Sequence, residues 1–128
     1  MPSVDLEQLA RTLFDAYGRG DLEIVASLLS AEVVFNVTNA AGGVDRVEGR
    51  DEALARLPDL SGAELRTTVT QVVAVDDERV LTMVEIEARR HGRELHNVAA
   101  FLARVPHETV AEIWMVEARP AYSAEFWG

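Results

Sequence analysis

The sequence predicts an α+β fold, with three N-terminal helices packed on one face of a mostly antiparallel sheet. Two observations support this prediction. Near the start of the chain, apolar residues recur at helical spacing, and from Glu64 onward one strand pattern follows another. Helices first and strands afterwards is the order of an α+β domain whose helices lie on one side of its sheet. The length of 128 residues fits a single domain spanning residues 1–128.

The elements follow in order along the chain. An apolar helical stripe predicts a first helix near residues 4–17, and Asp21 is placed to cap a second helix. β-Branched and aromatic residues predict a strand at 31–38, followed by a flexible loop at 39–48. A short helix at 50–57 ends before a proline. Turn residues then separate four further strands, at about 64–75, 79–89, 94–105 and 109–118.

Composition and charge disfavour several classes of function. The net charge of −10, from 22 acidic and 12 basic residues, repels nucleic-acid phosphates and anionic lipid, so we expect neither a nucleic-acid nor a membrane partner. No apolar run approaches the roughly 20 residues that span a bilayer. The absence of cysteine excludes disulfides, thiolate chemistry and cysteine-ligated metals. The start of the chain lacks a signal-peptide pattern, so a cytoplasmic location is expected. No cofactor is indicated.

The dipeptide His91-Gly92 predicts the register of a β-hairpin. If it forms a two-residue turn, Arg90 faces Arg93 and Ile86 faces Asn97 across the two strands. Because alternate residues point to opposite faces, this pairing divides the hairpin into two sets. Burying unpaired glutamates would cost several kcal/mol, so we predict that the set without them faces the helices. The inward set is Thr82, Val84, Ile86, Asn97, Ala99 and Phe101, and the outward set is Glu85, Glu87, His96, Val98, Ala100 and Leu102.

Glu85, Glu87 and His96 lie together on the predicted outward face. Carboxylates and an imidazole in this pattern are compatible with an acid–base or metal cluster. The alternative is an exposed ladder in which Glu87 and His96 make a cross-strand pair. We favour the ladder because charge clusters are often structural. His91 and His107 fall in turns without other ligand residues beside them, and we therefore expect no bound metal.

The outward face is also unusually apolar for a protein surface. A contiguous apolar patch rimmed by charge is typical of a protein interface, and two-fold homodimers are the most frequent assemblies. We therefore expect a homodimer through this sheet face, formed by Val98, Ala100, Leu102 and Trp114.

Four polar residues are candidates for a binding site. Tyr17 falls on the buried face of the first helix, where its hydroxyl either donates a hydrogen bond to a ligand or lies at the edge of the core. Asn36 and Asn97 lie in strands, and a buried amide must bind ligand, water or neighbouring backbone. Glu117 has inward parity in the last strand if its apolar neighbours do, near the mouth of a pocket. The alternative for Glu117 is a solvated strand end.

Five segments, in this order and spacing, give a resemblance to a known family. They are Gly20-Asp21-Leu22, Glu32-Val-Val-Phe-Asn36, Gly49-Arg-Asp-Glu-Ala53, Val110-Ala-Glu-Ile-Trp114 and Glu125-Phe126-Trp127. Over nearly its whole length the chain resembles the SnoaL-like branch of the nuclear-transport-factor-2-like superfamily. The resemblance implies a cone-shaped fold in which helices and a strongly curved sheet enclose one pocket. It does not imply one function, because members include steroid isomerases, limonene epoxide hydrolases, polyketide cyclases, dehydratases and non-enzymatic binding proteins.

The catalytic positions implied by this resemblance are mostly apolar here. The acid, base and hydrogen-bonding positions of the isomerases and epoxide hydrolases fall at or near Leu13, Val37, Val84, Ile86, Phe101 and Met115. Tyr17 matches a dehydratase-type tyrosine, although Gly18 stands where an acidic residue is expected beside it. Ala118-Arg119 replaces the aspartate that often precedes the final proline of the SnoaL-like pattern.

Together these observations predict a pocket for a small apolar metabolite. Two hypotheses are open: a cofactor-independent isomerase, cyclase, dehydratase or hydrolase, or a non-catalytic dimer that binds a ligand or partner. A titratable group inside the cavity would favour catalysis, because proton transfer needs one. A carboxylate at the mouth alone would favour binding, toward which the sequence leans slightly. The predicted binding residues are Tyr17, Asn36, Val37, Thr82, Val84, Ile86, Asn97, Phe101, Met115 and Glu117.

Overall fold

A curved, six-stranded sheet forms the body of the protein. The computed structural model describes residues 5–57 and 63–127. Within them the order across the sheet runs from the second strand at one edge to the third at the other, so the sheet does not close into a barrel. The strands are β1 (Leu29–Thr38), β2 (Val44–Glu48), β3 (Glu64–Ala74), β4 (Arg79–Arg90), β5 (Arg93–Arg104) and β6 (Val110–Glu117). They lie in the order β2–β1–β6–β5–β4–β3, antiparallel except for the parallel pair β1 and β6.

Helices pack against this sheet, which confirms the predicted α+β fold. In the described part of the chain they are α1 (Leu6–Gly18), α2 (Leu22–Leu28), α3 (Arg50–Ala55) and α4 (Pro120–Trp127). The carboxylate of Asp5 caps α1 by accepting a hydrogen bond from the backbone N–H of Gln8 at 3.0 Å. Asp21 caps α2 in the same way through Ile24, at 3.3 Å, as the sequence predicts.

The prediction of a flexible loop at 39–48 is wrong for the second half of that segment. Residues 44–48 form β2, which pairs antiparallel with the end of β1. The turn between the two strands is held by Asn39, whose Oδ1 accepts hydrogen bonds from the backbone N–H groups of Ala41 and Gly43. Asparagine favours such turns because its side chain bonds nearby backbone. The predicted loop is therefore an edge hairpin at the rim of the sheet.

A fourth helix, α4, extends the three that the sequence predicts. It begins at Pro120, whose fixed φ suits the first position of a helix. Its apolar residues follow no simple stripe, because one side of the helix faces a cavity and another packs on the sheet. Pro58, which was predicted to end α3, lies outside the described residues.

The register of the β4–β5 hairpin is confirmed residue by residue. Arg90 pairs with Arg93 and Ile86 pairs with Asn97. His91 and Gly92 both have positive φ, at 54° and 75°, as the two central residues of a type I′ hairpin turn require. On the predicted inward face the side chains are buried or partly buried, whereas the outward face carries the exposed groups.

Two separate groups of buried side chains stabilise the fold. The larger group joins α1, α2 and the inner face of the sheet, with Phe14 and Val84 among its members. Burying a side chain of this kind contributes about 1.5–3 kcal/mol. The smaller group is Ala88, Leu95 and Phe126, and it attaches α4 to the end of the β4–β5 hairpin. Among the described residues, no helix is both long and apolar enough to cross a membrane.

Candidate functional site

A cavity of about 740 Å³ is bounded by the inner face of the sheet and by α1, α3 and α4. Small-molecule sites span about 300–1,000 Å³, so this volume suits an organic ligand. Apolar side chains form most of the wall, and Phe14 and Phe101 pack with their ring centroids 4.6 Å apart. The wall therefore favours a ligand whose body is apolar. Its larger apolar members include Leu13, Phe14, Phe35, Leu54, Phe101 and Ile113.

Polar side chains gather where β5, β6 and α4 meet at the cavity. Asn97 is 3% exposed, and its Nδ2 donates to Oε2 of Glu117 at 3.1 Å. The same nitrogen donates to the carbonyl oxygen of Arg119 at 3.1 Å. Asn97 Oδ1 accepts from the backbone N–H groups of Val98 at 2.9 Å and Arg119 at 3.2 Å. Ser123 of α4 also hydrogen-bonds to Glu117. Asn97 thus holds the carboxylate and the β6–α4 corner in one network.

Tyr17 and Glu117 are titratable groups of the cavity wall whose pKa the fold raises. Burial raises the pKa of Tyr17 to about 12, and the negative charge of Glu117 adds to the rise. Burial also raises the pKa of Glu117 above its ordinary value, while the Ser123 hydrogen bond and the charge of Arg56 lower it. Tyr17 therefore remains a neutral hydrogen-bond donor at physiological pH, and Glu117 holds a proton more readily than an exposed carboxylate does.

The rim of the cavity carries an ion pair that the sequence did not predict. Arg56 Nη2 lies 3.0 Å from Asp45 Oδ2, and Asn39 Nδ2 donates to Asp45 Oδ1 at 3.0 Å. These hydrogen bonds, with that of Asn39 the larger, hold the pKa of Asp45 below its usual range. The sequence does contain one signal for this ion pair: Asn39 ahead of two glycines is typical of a turn. That turn brings Asp45, at the start of β2, back to the cavity.

Most of the predicted binding residues line one cavity. They are Tyr17, Val37, Ile86, Asn97, Phe101, Met115 and Glu117. Thr82 and Val84 share the inward face but are each 1% exposed and lie outside the cavity wall. Strand parity selects the face of the sheet and carries no information on how far along the strand the cavity extends. A binding role for the lining residues stays a prediction.

Asn36 requires a correction, because it points away from the cavity. Its neighbour Val37 lines the cavity, so alternation turns Asn36 to the other face of β1. There its Nδ2 donates to Glu112 Oε2 at 3.1 Å and to the carbonyl oxygen of Ile113 at 3.4 Å. The amide is 2% exposed and satisfied by β6. Its predicted alternative role, hydrogen bonding to neighbouring protein groups, is the one the geometry supports.

The Glu85, Glu87 and His96 cluster lies on the outer face, across the sheet from the cavity. Their carboxylate and imidazole atoms come within 4.8 Å of one another. Glu87 faces His96 directly across the strands, and Arg66 of β3 is the residue opposite Glu87 on its other side. The arrangement matches the predicted cross-strand ladder. It has no route to the cavity through the sheet.

Comparison with known proteins places this architecture in a family. The model of the SnoaL-like domain matches residues 10–113, which is most of the chain. The chain belongs to the SnoaL-like domain family. None of the curated proteins matches its sequence.

Solved structures similar to this SnoaL-like domain share its fold at low sequence identity. Bal32a, from a soil-derived mobile gene cassette, has a TM-score of 0.81 and 17% identity, over 94% of this chain and 95% of that one. An LEH-like epoxide hydrolase from Mycobacterium tuberculosis has a TM-score of 0.74 and 14% identity, over 92% and 86%. A protein described as a SnoaL-like polyketide cyclase, from Jannaschia sp. CCS1, has a TM-score of 0.73 and 14% identity, over 94% and 97%.

In this SnoaL-like domain, a side chain at Gly18, beside Tyr17, would require Thr67 to move. A Cβ atom at Gly18 would lie 2.5 Å from Thr67 Oγ1, closer than real Cβ contacts allow. Leu13, Val37, Phe101 and Met115, where the resemblance implied catalytic positions, form apolar wall. Among the described residues of the wall, the carboxylates are Glu117 and the ion-paired Asp45 of the rim.

Proposed function

We propose that this SnoaL-like domain binds a small, largely apolar carbonyl compound and moves a proton within it. Glu117 is the acid–base group, and Tyr17 donates a hydrogen bond to the carbonyl oxygen. The observation that carries the proposal is a half-buried carboxylate with a raised pKa that lines the same, mostly apolar cavity as a neutral phenol. A base with increased proton affinity and a donor that stays protonated are what such a reaction uses.

The proposed step balances without a cofactor. The Glu117 carboxylate takes the proton from a carbon next to the carbonyl, and the electrons of the broken C–H bond move onto the carbonyl oxygen. The Tyr17 hydroxyl stabilises that oxygen by its hydrogen bond. Protonated Glu117 then returns the proton to another carbon of the same molecule, and the product is an isomer. Asn97 and Ser123 fix the carboxylate by hydrogen bonds and leave it facing the cavity.

Some structural relatives are named for reactions of small organic molecules. They include proteins named ketosteroid isomerase, epoxide hydrolase and polyketide cyclase. At these low identities the likeness supports the fold alone, so the reaction rests on Glu117 and Tyr17. A cytoplasmic location stays a prediction.

The test begins with binding. Thermal-shift screening with cyclic enones, lactones and terpenoid epoxides should raise the melting temperature for some compounds. The protein is then incubated with a β,γ-unsaturated cyclic ketone, and we expect conversion to the conjugated enone, which ultraviolet absorbance detects. Glu117→Gln should reduce the rate at least about 100-fold, because a positioned base contributes on that order. Glu87→Gln, an exposed glutamate on the other face, should leave it unchanged.

The second candidate is a protein that binds such a ligand without turnover. It is favoured by the apolar wall at Leu13, Val37, Phe101 and Met115, where the resemblance implied catalytic positions. Thermal shifts with no conversion to the isomer in wild type would select this function. Absence of shifts across the whole panel would contradict both candidates.

We further propose that the outer sheet face forms a two-fold homodimer. Two apolar rows cross the strands there, Leu81–Leu102–Trp114 and Met83–Ala100–Val116. Trp114 is 41% exposed and Val116 is 50% exposed. A contiguous apolar patch of this kind is typical of a protein interface. Val98 extends the patch toward the charged cluster.

Light scattering after gel filtration tests the dimer. We expect wild type to have twice the chain mass at micromolar concentration. Trp114→Asp should give the mass of one chain, because a charge in the centre of an apolar interface is left unpaired. Leu22→Asp, which alters an exposed apolar residue at the start of α2, should remain dimeric. A monomeric wild type would contradict the proposal.

A further inference from the structure

Helix α4 is attached to the domain independently of the main core. Phe126 is 2% exposed and packs with Ala88 and Leu95 in the smaller buried group. These partners lie at the turn end of the β4–β5 hairpin. The larger buried group, which holds α1 and α2 to the sheet, does not include any residue of α4. Among the described residues, the cavity lies between these two groups.

Polar contacts fasten α4 to the same end of the hairpin. β5 pairs with β6 only from Ala99 onward, so its earlier residues present a free strand edge. The Tyr122 hydroxyl covers this edge, accepting from the His96 backbone N–H at 3.2 Å and donating to the Glu94 carbonyl oxygen at 2.9 Å. Both bonds are made by one hydroxyl, so a single side chain of α4 satisfies the free backbone groups of this edge.

Two arginines of the hairpin hold the C-terminal end of α4. Arg93 donates to the carbonyl oxygen of Glu125 at 3.1 Å, and Arg90 donates to that of Trp127 at 3.0 Å. The Arg90 guanidinium also lies 5.5 Å from the centre of the Trp127 ring. Positive charge at the C-terminal end of a helix is favourable, since the last carbonyl groups carry partial negative charge.

The inner side of α4 is part of the cavity wall. Pro120, Ser123, Ala124 and Trp127 line the cavity, and Ser123 hydrogen-bonds to Glu117. If α4 moved away, the cavity would open at its polar end.

The pivot for such a motion is fixed by Asn97. Its side chain binds both the backbone N–H and the carbonyl oxygen of Arg119, and the Ala118 N–H donates to the Val98 carbonyl at 2.8 Å. Residues up to Arg119 are therefore held to β5. The chain beyond it is held by the smaller buried group and the contacts at the hairpin end.

We propose that α4 is a lid, which swings about the Arg119–Pro120 corner to admit ligand and encloses the polar end of the cavity when it closes. Opening separates the small Phe126 group and a few hydrogen bonds, and it leaves the main core intact. Local openings of this kind have a lower free energy than global unfolding. The role of the lid in ligand entry rests on the proposed function, whereas the motion is a property of the free protein.

Hydrogen–deuterium exchange of the free wild-type protein tests the motion. The amides of residues 121–127 should exchange through a local opening, at least about tenfold faster than those in the centres of β4 and β5, and with little dependence on denaturant. If they exchange only together with the strands and with the same denaturant dependence, α4 is a fixed part of the wall and the proposal is wrong.

A pair of variants separates the lid from general stability. Arg90→Ala with Arg93→Ala should speed exchange in α4 about tenfold, as expected for the loss of two hydrogen bonds at the helix end, while exchange in β3 is unchanged. The matched control is Arg89→Ala, which removes an exposed ion pair with Glu94 on the same hairpin and makes no described contact with α4. If the double variant does not fold, Tyr122→Phe loosens the lid at its other anchor.

The link to ligand entry uses N-phenyl-1-naphthylamine, a neutral apolar fluorophore. Stopped-flow mixing should show that the double arginine variant raises the association and dissociation rates together, each about tenfold, with a small change in Kd, as expected when the loss of two hydrogen bonds makes opening easier. Unchanged rates alongside faster α4 exchange would show that ligand enters elsewhere and would overturn the lid's role. If the dye does not bind wild type, the proposed function is contradicted, and the exchange comparison still decides whether α4 opens.

Discussion

The two faces of the β4–β5 hairpin are made by the same two strands and have opposite chemistry. Val84 is 1% exposed on the inner face, and its neighbour Glu85 lies on the outer one. Asn97 is buried beside the cavity, and its neighbour His96 is exposed. Side chains alternate along a strand, so a shift of the register by one residue would exchange the two environments. The His91-Gly92 turn that sets the register therefore also decides which groups can reach a ligand.

A charge on the inner face is the most severe test of the difference between the two faces of the hairpin. Val84→Asp places a carboxylate in the main core, and we expect it to lower the free energy of unfolding by at least about 3 kcal/mol, because an unpaired buried charge is not compensated. Glu87→Ala, on the outer face of the same strand, should change it by less than about 0.5 kcal/mol. Urea denaturation measures both. Similar losses for the two variants would show that the faces do not differ as described.

The next largest effect is expected at Asn97. Asn97→Ala leaves the N–H and carbonyl of Arg119 without their side-chain partner, and it removes a donor from Glu117. We expect a loss of about 2 kcal/mol in the free energy of unfolding, on the scale of unsatisfied buried polar groups. His96→Ala, one residue away and exposed, is the control and should have little effect. A neutral Asn97→Ala would mean that the β6–α4 corner is held by other contacts.

A smaller, pH-dependent difference is expected between glutamates on the two faces. Burial raises the pKa of Glu117 in the folded protein, so the folded state binds more protons than the unfolded state from about the ordinary value of 4.5 upward. Ionised Glu117 therefore costs stability as pH rises through that window, and the cost is absent at lower pH. Denaturation from pH 3 to 8 should show Glu117→Gln gaining stability relative to wild type as pH rises. Glu87→Gln, which leaves Glu117 in place, is the control, and a Glu117→Gln profile parallel to that of wild type would contradict the assigned burial.

The finest test is the titration of a single tyrosine. With Tyr122→Phe, Tyr17 becomes the one tyrosine of the chain, since the sequence has two. Ultraviolet difference absorbance should show a pKa of about 12 while circular dichroism shows the protein folded. Glu117→Gln in this background should lower the pKa, because the neighbouring negative charge is removed. Ionisation near the ordinary value of 10 would place the Tyr17 hydroxyl in solvent instead of the cavity wall.

The sequence predicts the parts of the site that depend on local rules. A two-residue turn sets the hairpin register, and alternation then places Ile86, Asn97 and Phe101 on the cavity side. Glu117 follows from the same parity in β6. Local rules do not show which strand lies next to β1, and the parallel partner β6 is what satisfies Asn36 on the outer face.

Other parts of the site depend on packing between distant segments. The Arg56–Asp45 rim forms because β2 returns along β1, and the apparent loop composition of 39–48 conceals that pairing. Helix α4 carries little amphipathic signal, since it divides its side chains between the Phe126 group and the cavity. The polar end of the cavity is completed by Ser123, whose role becomes visible only when α4 is seen against β6.

Strand β6 lies between β1 and β5, so it joins the N-terminal hairpin to the rest of the sheet. During synthesis β6 is delivered after every other strand. Until it leaves the ribosome, β1 and β2 have no partner in the larger half of the sheet, and their apolar sides stay open to solvent. Pairing across some eighty residues of chain is also slow, because distant contacts must close long loops. The sheet of this SnoaL-like domain is therefore complete only once β6 has paired with both β1 and β5, and until then its unpaired strand edges favour aggregation.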